Sequence, residues 1–97
     1  MKHTKQEMLI KALKILKDLN PQYFKDENLK KIIYHENDEL SRPKGKIANT
    51  WVAIVDDPIF DASEFLTISD DTGEPLYYQN ANMIIHEIQK DNNVNYF

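Results

Sequence analysis

The first clear pattern along the chain is an amphipathic one near its start. The segment from Thr4 to Glu7 matches a capping box, in which both side chains bind free backbone N–H groups at a helix start. At 100° per residue, the following apolar side chains fall on one arc and the charged ones fall opposite. This arc contains Met8, Leu9, Ala12, Leu13, Ile15, Leu16 and Leu19. We therefore predict a helix over about residues 4–19, ended by Asn20 because a residue before proline disfavours the α region.

The middle of the chain reads as strands and loops. Residues 29–40 fit both a short helix and a strand, and the β-branched and aromatic run Ile32-Ile33-Tyr34 favours a strand. Residues 41–49 contain proline, glycine and several charges, which predicts a loop. The run from Trp51 to Val55 is apolar at every position, as expected of an interior strand.

A hairpin is predicted in the stretch FLTISDDTGEPLYYQN, residues 65–80. Its strands, residues 65–69 and 76–79, flank a turn in which Gly73 supplies a positive φ. We expect Asp70 to open this turn through a side-chain hydrogen bond to the backbone. Pro75 places its strand at the sheet edge, or stands where that strand begins.

The last predicted element is a helix. Asn80 is a good N-cap, and a helical stripe follows it that consists of Ala81, Ile84, Ile85 and Ile88. The resulting order is α-β-β-β-β-α in a single domain, residues 1–97. Because the connections are short, we predict an α+β fold, with an N-terminal amphipathic helix and a C-terminal helix packed on a mainly antiparallel sheet of about four strands.

Composition narrows the class of protein. The 97 residues are 41% hydrophobic and 29% charged, with no cysteine, which removes disulfide scaffolds, thiol catalysis and cysteine-based zinc sites. Charged residues at positions 5, 7, 11, 14 and 17 interrupt every apolar run near the N-terminus. We therefore expect no signal peptide, no membrane span and a cytoplasmic location.

Motifs for catalysis or metal binding are weak. His86-Glu87 resembles the start of a zinc-protease helix, but position 90 is lysine where a second histidine is needed. Two glycines are too few for a phosphate-binding loop. The pairs Asp56-Asp57 and Asp70-Asp71 are typical of turns at strand ends. We predict no enzyme, no cofactor and no metal, while a pocket built from these acids would reopen the question.

Charge is distributed unevenly. Residues 1–46 hold eleven basic and seven acidic residues, which gives +4, whereas residues 47–89 hold eight acids and no lysine or arginine, which gives −8. Such an acidic region attracts cationic surfaces and disfavours nucleic acid, and a plain solvated surface is the simpler alternative. Tyr77 and Tyr78 point to opposite faces of their strand, so one of them is expected to be available to a partner.

The leading helix, the strand TWVAIVDD and the hairpin FLTISDDTGEPLYY together resemble the pattern of small bacterial toxin-immunity proteins. The tryptophan strand followed by Thr72-Gly73-Glu74 is also similar to PepSY-like domains. The first resemblance implies an inhibitor, a monomer or weak dimer, that binds and occludes a cationic protein such as a secreted toxin nuclease. We expect its partner-binding face to consist of Asp56, Asp57, Asp61, Asp70, Asp71, Glu74 and Tyr78. The alternative is a small PepSY-like regulatory or dimerising module without catalytic activity.

Overall fold

A helix lies across one face of an antiparallel sheet in the computed structural model, which describes residues 1–57 and 62–97. The five strands of this sheet stand side by side in chain order. The elements are α1 (Lys5–Leu19), β1 (Leu29–Glu39), β2 (Ile47–Asp56), β3 (Ser63–Ser69), β4 (Pro75–Gln79) and β5 (Ile85–Glu87), with a single 3₁₀ turn at Asp26–Asn28. The α+β class and the antiparallel sheet are thus confirmed.

Helix α1 begins at the predicted capping box. The amide of Glu7 donates to Oγ1 of Thr4 over 3.1 Å, and the amide of Thr4 donates to Oε1 of Glu7 over 2.9 Å. The helix then packs its apolar stripe against the sheet and buries Met8, Ala12, Ile15 and Leu16. Most helical stability comes from such an apolar face, so its burial fixes where α1 lies.

The core lies between α1 and the middle strands. Residues 29–39 form a strand, and β2 lies between β1 and β3, as its apolar composition predicts. Alternation along β2 directs Trp51, Ala53 and Val55 toward the helix, where they are buried together with Leu66 and Ile68 of β3.

Half-buried side chains occupy much of the opposite face of the sheet. Val52 pairs there with Ile33 of β1 and Thr67 of β3, and Thr67 in turn pairs with Tyr77. The connection between β1 and β2 folds back over this face, because the amide of Ser41 donates to the hydroxyl oxygen of Tyr77 over 3.2 Å. Tyr77 is consequently buried, while Tyr78 points toward the helix side, which confirms that the two tyrosines face opposite ways.

The predicted C-terminal helix is wrong, because residues 80–87 form a turn followed by β5. The side chain of Asn80 accepts the amides of Asn82 and Ile84, and Met83 takes a φ of 64° between them. Strand β5 then pairs with residues 77–79 of β4. Two reasons favour the strand: Ile85 suits a β conformation, and β4 would otherwise leave backbone hydrogen-bonding groups unpaired at an open edge.

The C-terminal segment returns to the core beneath α1. Gln89 and Phe97 exchange two backbone hydrogen bonds of 2.8 and 3.0 Å. Tyr96 between them is buried, and its hydroxyl donates to Oε2 of Glu74 over 2.7 Å. Across residues 1–57 and 62–97, every helix is too short or too polar to cross a membrane.

Candidate functional site

The residues predicted to form one acidic face lie at opposite ends of the sheet. Asp56 ends β2 and Asp57 follows it, and Tyr78 lies near the end of β4. Because neighbouring strands are antiparallel, these positions meet at one end, which we call the cavity end. The β3–β4 turn at the other end, which we call the turn end, carries Asp70, Asp71 and Glu74. Asp61 lies outside the described residues.

Asp70 is buried and does not belong to an exposed face, which corrects the prediction. Its side chain is 1% exposed and accepts the indole N–H of Trp51 at 2.9 Å and the amides of Lys2 and His3 at 2.6 and 3.0 Å. It also does not open the turn, since the amide of Gly73 donates to the carbonyl oxygen of Ser69 instead. Burial raises the pKa of Asp70, but the N–H donors outweigh it and hold the pKa below its ordinary value. Asp70 therefore anchors the N-terminal segment to the hairpin.

The other acids of the turn end are paired with basic side chains. Glu74 lies 3.5 Å from the ammonium of Lys11 and 3.2 Å from that of Lys90. Burial raises the pKa of Glu74, and the Tyr96 hydroxyl together with the two lysines lowers it by more. Asp71 is exposed and lies 3.4 Å from the ammonium of Lys2. Folding thus brings the basic first half of the chain onto acids of the second half.

A cavity of about 500 Å³ opens at the cavity end, between the last turn of α1 and the strand ends. It forms because α1 stops at Leu19 and the chain turns away, with the amide of Phe24 donating to the carbonyl oxygen of Asn20. The exposed side chains of Tyr23, Ile84 and Phe97 line it, and their exposed fractions are 57, 61 and 57%. A concave apolar surface bordered by exposed apolar side chains is typical of a binding site.

Glu64 and Tyr78 form a hydrogen-bonded pair in the wall of this cavity. The Tyr78 hydroxyl donates to Oε1 of Glu64 over 2.5 Å, and the amide of Ala81 donates to Oε2 over 2.9 Å. Burial, followed by the carboxylates of Glu64 and Asp57, raises the pKa of Tyr78. Tyr78 therefore stays neutral and acts as the hydrogen-bond donor to Glu64.

Two more carboxylates line the cavity, and each also contacts a lysine. Asp18 accepts from Nζ of Lys14 at 2.6 Å, and Asp56 lies 3.3 Å from Nζ of Lys30. Neither lysine is part of the lining, and of the described residues that line the cavity none is lysine or arginine. The cavity wall is thus apolar with a negative charge, which suits a ligand that combines an apolar body with a cation.

Sequence reasoning selected Asp56, Asp57 and Tyr78 at the cavity end but missed Glu64 and the apolar wall. Leu19 and Phe24 are far from Ile84 in the chain, and only the fold brings them together. In the described part of the chain, no group of three or more histidine, cysteine, aspartate or glutamate side chains is arranged to hold a metal ion.

Comparisons of this chain with protein-family models, curated proteins and solved structures gave no match. Its function is therefore inferred from the geometry and charge of the cavity end.

Proposed function

We propose that this protein is an inhibitor that binds and occludes a basic partner protein, as an immunity protein does with a secreted toxin nuclease. The observation that supports this proposal most strongly is the cavity end, where Tyr23, Ile84 and Phe97 expose apolar surface next to the carboxylates of Asp18, Asp56 and Glu64. Aromatic and aliphatic anchors that fill or border a pocket dominate binding energy in protein interfaces. Acids beside them favour a cationic partner over a neutral or anionic one.

The proposed mechanism is steric and electrostatic, with no covalent bond made or broken. The net charge of −4 attracts a basic partner over a distance of about one Debye length, roughly 8 Å at physiological salt. Docking then buries the apolar side chains around the cavity and covers the partner's cationic cleft. An inhibitor of this kind acts in the cytoplasm of the cell that makes the toxin.

The proposed partner-binding face differs from the predicted one at several positions. Asp56, Asp57 and Tyr78 remain in it, and Glu64 joins them as the hydrogen-bonded partner of Tyr78. Asp70 leaves it because that carboxylate is buried. Asp71 and Glu74 leave it because both lie at the turn end, away from the cavity.

A regulatory or dimerising module, as in PepSY-like domains, is the second candidate. It is favoured by β1, an eleven-residue strand that stands at one edge of the sheet in the described part of the chain. An open edge of this length can pair with a second chain, although the adjacent Lys30 and Lys31 oppose close approach of an identical strand. Size-exclusion chromatography with light scattering separates the candidates, because the module predicts a dimer and the inhibitor a monomer or weak dimer.

The function is tested with immobilised protein exposed to a lysate of the source organism at low and at physiological salt. The informative variant is Ile84→Asp, which places a charge in the apolar lining. The matched control is Met83→Asp, since Met83 is 75% exposed in the same turn and does not line the cavity. We expect the wild type and the control to retain one basic protein that Ile84→Asp does not retain, with less retained at higher salt.

The captured protein must then be identified and assayed. An equimolar amount of the wild type should abolish its activity on nucleic acid, while the Ile84→Asp variant should not. Capture of no basic protein, or capture without inhibition, would contradict the proposal. Equal capture by both variants would show that the partner binds elsewhere on the molecule.

A further inference from the structure

Uncharged donors hold the carboxylate of Glu64 in place. Both of its hydrogen-bond donors, the hydroxyl of Tyr78 and the amide of Ala81, are uncharged. No basic side chain in residues 1–57 or 62–97 forms an ion pair with it. Each carboxylate oxygen accepts one hydrogen bond from the described residues and has a second lone pair, with which the group can accept from a ligand.

The surroundings of Glu64 are apolar on several sides. Leu19, Phe24 and Val55 line the same cavity, together with the ring of Tyr78. A charge beside such a wall interacts more strongly than it does in bulk water, because the local dielectric constant is lower. The volume of about 500 Å³ falls within the range of roughly 300–1,000 Å³ that is typical of ligand pockets. The cavity therefore has room for more than one amino-acid side chain.

Resting on the proposed function, we propose that the cavity binds an arginine side chain of the partner together with the apolar residue next to it. The guanidinium pairs with Glu64, and the neighbouring apolar group packs against Leu19 and Phe24. Arginine is favoured over lysine because a guanidinium is less strongly hydrated and donates two parallel hydrogen bonds to a carboxylate.

The same contacts disfavour other occupants. An anionic group would meet the carboxylates of Asp18, Asp56 and Glu64 with no lysine or arginine among the described lining residues. A neutral apolar group would leave the charge of Glu64 covered and unpaired, which is costly. A free organic amine has the required chemistry without belonging to a protein, so the experiment includes one.

Three dipeptides and one amine serve as probes. Their binding is measured from changes in the chemical shifts of the protein's backbone amides. The probes are acetyl-Phe-Arg-amide, acetyl-Phe-citrulline-amide, acetyl-Phe-Glu-amide and phenethylammonium. Citrulline keeps the shape of arginine without its charge. We expect the arginine peptide to shift the amide signals around Tyr78, Ile84 and Phe97. It should bind at least about tenfold more tightly than the citrulline peptide, and its binding should weaken as salt is added. The glutamate peptide should not bind.

Variants assign the effect to the site. Glu64→Gln keeps the size of the side chain and removes its charge, and should abolish the difference between arginine and citrulline. Its matched control is Glu87→Gln, the same change at an exposed residue of β5. Glu87 pairs with Tyr77 and therefore lies on the face of the sheet opposite to Tyr78. Ile84→Ser should weaken every probe that binds, whereas Met83→Ser, in the same turn, should change none.

Equal binding of the arginine and citrulline peptides would overturn the inference, and so would shifts that lie away from the cavity. Tighter binding of phenethylammonium than of the arginine peptide would show that the site takes a free amine and not a partner's side chain. A basic partner captured equally by the wild type and Glu64→Gln would leave the proposed function standing and refute this inference. Arginine-specific binding without any inhibited partner would refute the proposed function and leave this site intact.

Discussion

The indole N–H of Trp51 donates a 2.9 Å hydrogen bond to Oδ1 of Asp70, joining the interior strand β2 to the β3–β4 turn. Both side chains are buried. The same carboxylate accepts the amides of Lys2 and His3, so one aspartate holds together the core, the hairpin and the segment that leads into α1. A buried charge of this kind is retained only with several donors around it, and Asp70 has them.

Asp70→Asn should destabilise the protein by about 2–3 kcal/mol, because three N–H donors lose a charged acceptor in a buried site. The matched control is Asp71→Asn, the same substitution at the exposed neighbouring residue, which should change stability by less than about 0.5 kcal/mol. Urea unfolding followed by tryptophan fluorescence measures both. Similar losses at the two positions would contradict the structural role assigned to Asp70.

The contribution of Asp70 should also disappear in acid. Its pKa in the folded protein lies below the ordinary value of 3.8, so its stabilisation is complete above that pH. As pH falls through the folded-state pKa, the carboxylate becomes protonated and the stabilisation is lost. The gap in unfolding free energy between the wild type and Asp70→Asn should therefore narrow as the pH is lowered below 3.8. If this difference in unfolding free energy does not change with pH, the charge of Asp70 is not what stabilises the fold.

Gly73→Ala should cost more stability than Gly45→Ala. Both glycines have a positive φ, 73° and 83°, which costs an alanine about 1–2 kcal/mol. A Cβ at position 73 would also lie 2.8 Å from Nε2 of His3, whereas position 45 is open. In a His3→Ala background the cost at position 73 should fall to that at position 45. Thermal unfolding of the wild type, Gly73→Ala, His3→Ala and the double variant forms the required double-mutant cycle. If the cost of Gly73→Ala is the same with and without His3, the side chain of His3 does not crowd this turn.

Tyr78→Phe should make the protein less sensitive to alkali. The pKa of Tyr78 is raised above its ordinary value of 10.0 by burial and by Glu64, so this hydroxyl stabilises the fold below that pH. Above it, the unfolded chain ionises first and the stabilisation is lost. Unfolding free energies measured on both sides of pH 10.0 should fall more steeply for the wild type than for Tyr78→Phe. Tyr23→Phe, at an exposed tyrosine, controls for the number of tyrosines, and equal slopes in all three proteins would contradict the prediction.

The uneven charge of the sequence takes a different form in the folded molecule. The excess of lysine in the first half and of acids in the second half predicts an acidic surface. Folding instead brings three lysines onto three acids, in the pairs Lys2–Asp71, Lys11–Glu74 and Lys30–Asp56. Exposed ion pairs of this kind contribute little to stability. Glu64, at the cavity end, is bonded instead to neutral donors, the hydroxyl of Tyr78 and the amide of Ala81.

Short patterns of neighbouring residues in the sequence were sufficient to determine several elements of the fold. The capping box and apolar stripe define α1, the apolar run defines β2 as an interior strand, and Gly73 and Pro75 define the turn and the start of β4. Each of these signals depends on the periodicity or backbone preference of a few neighbouring residues.

The tertiary structure decided everything that depends on distant partners. Residues 85–87 became a strand because β4 had an edge to complete, which their helical stripe does not reveal. Asp70 turned inward because Trp51 and the amides near the N-terminus supplied donors far away in sequence. The cavity exists only where the end of α1 meets the β4–β5 turn. A side chain that prefers to be buried can be covered by many different neighbours, and only the packed fold selects which residues come into contact.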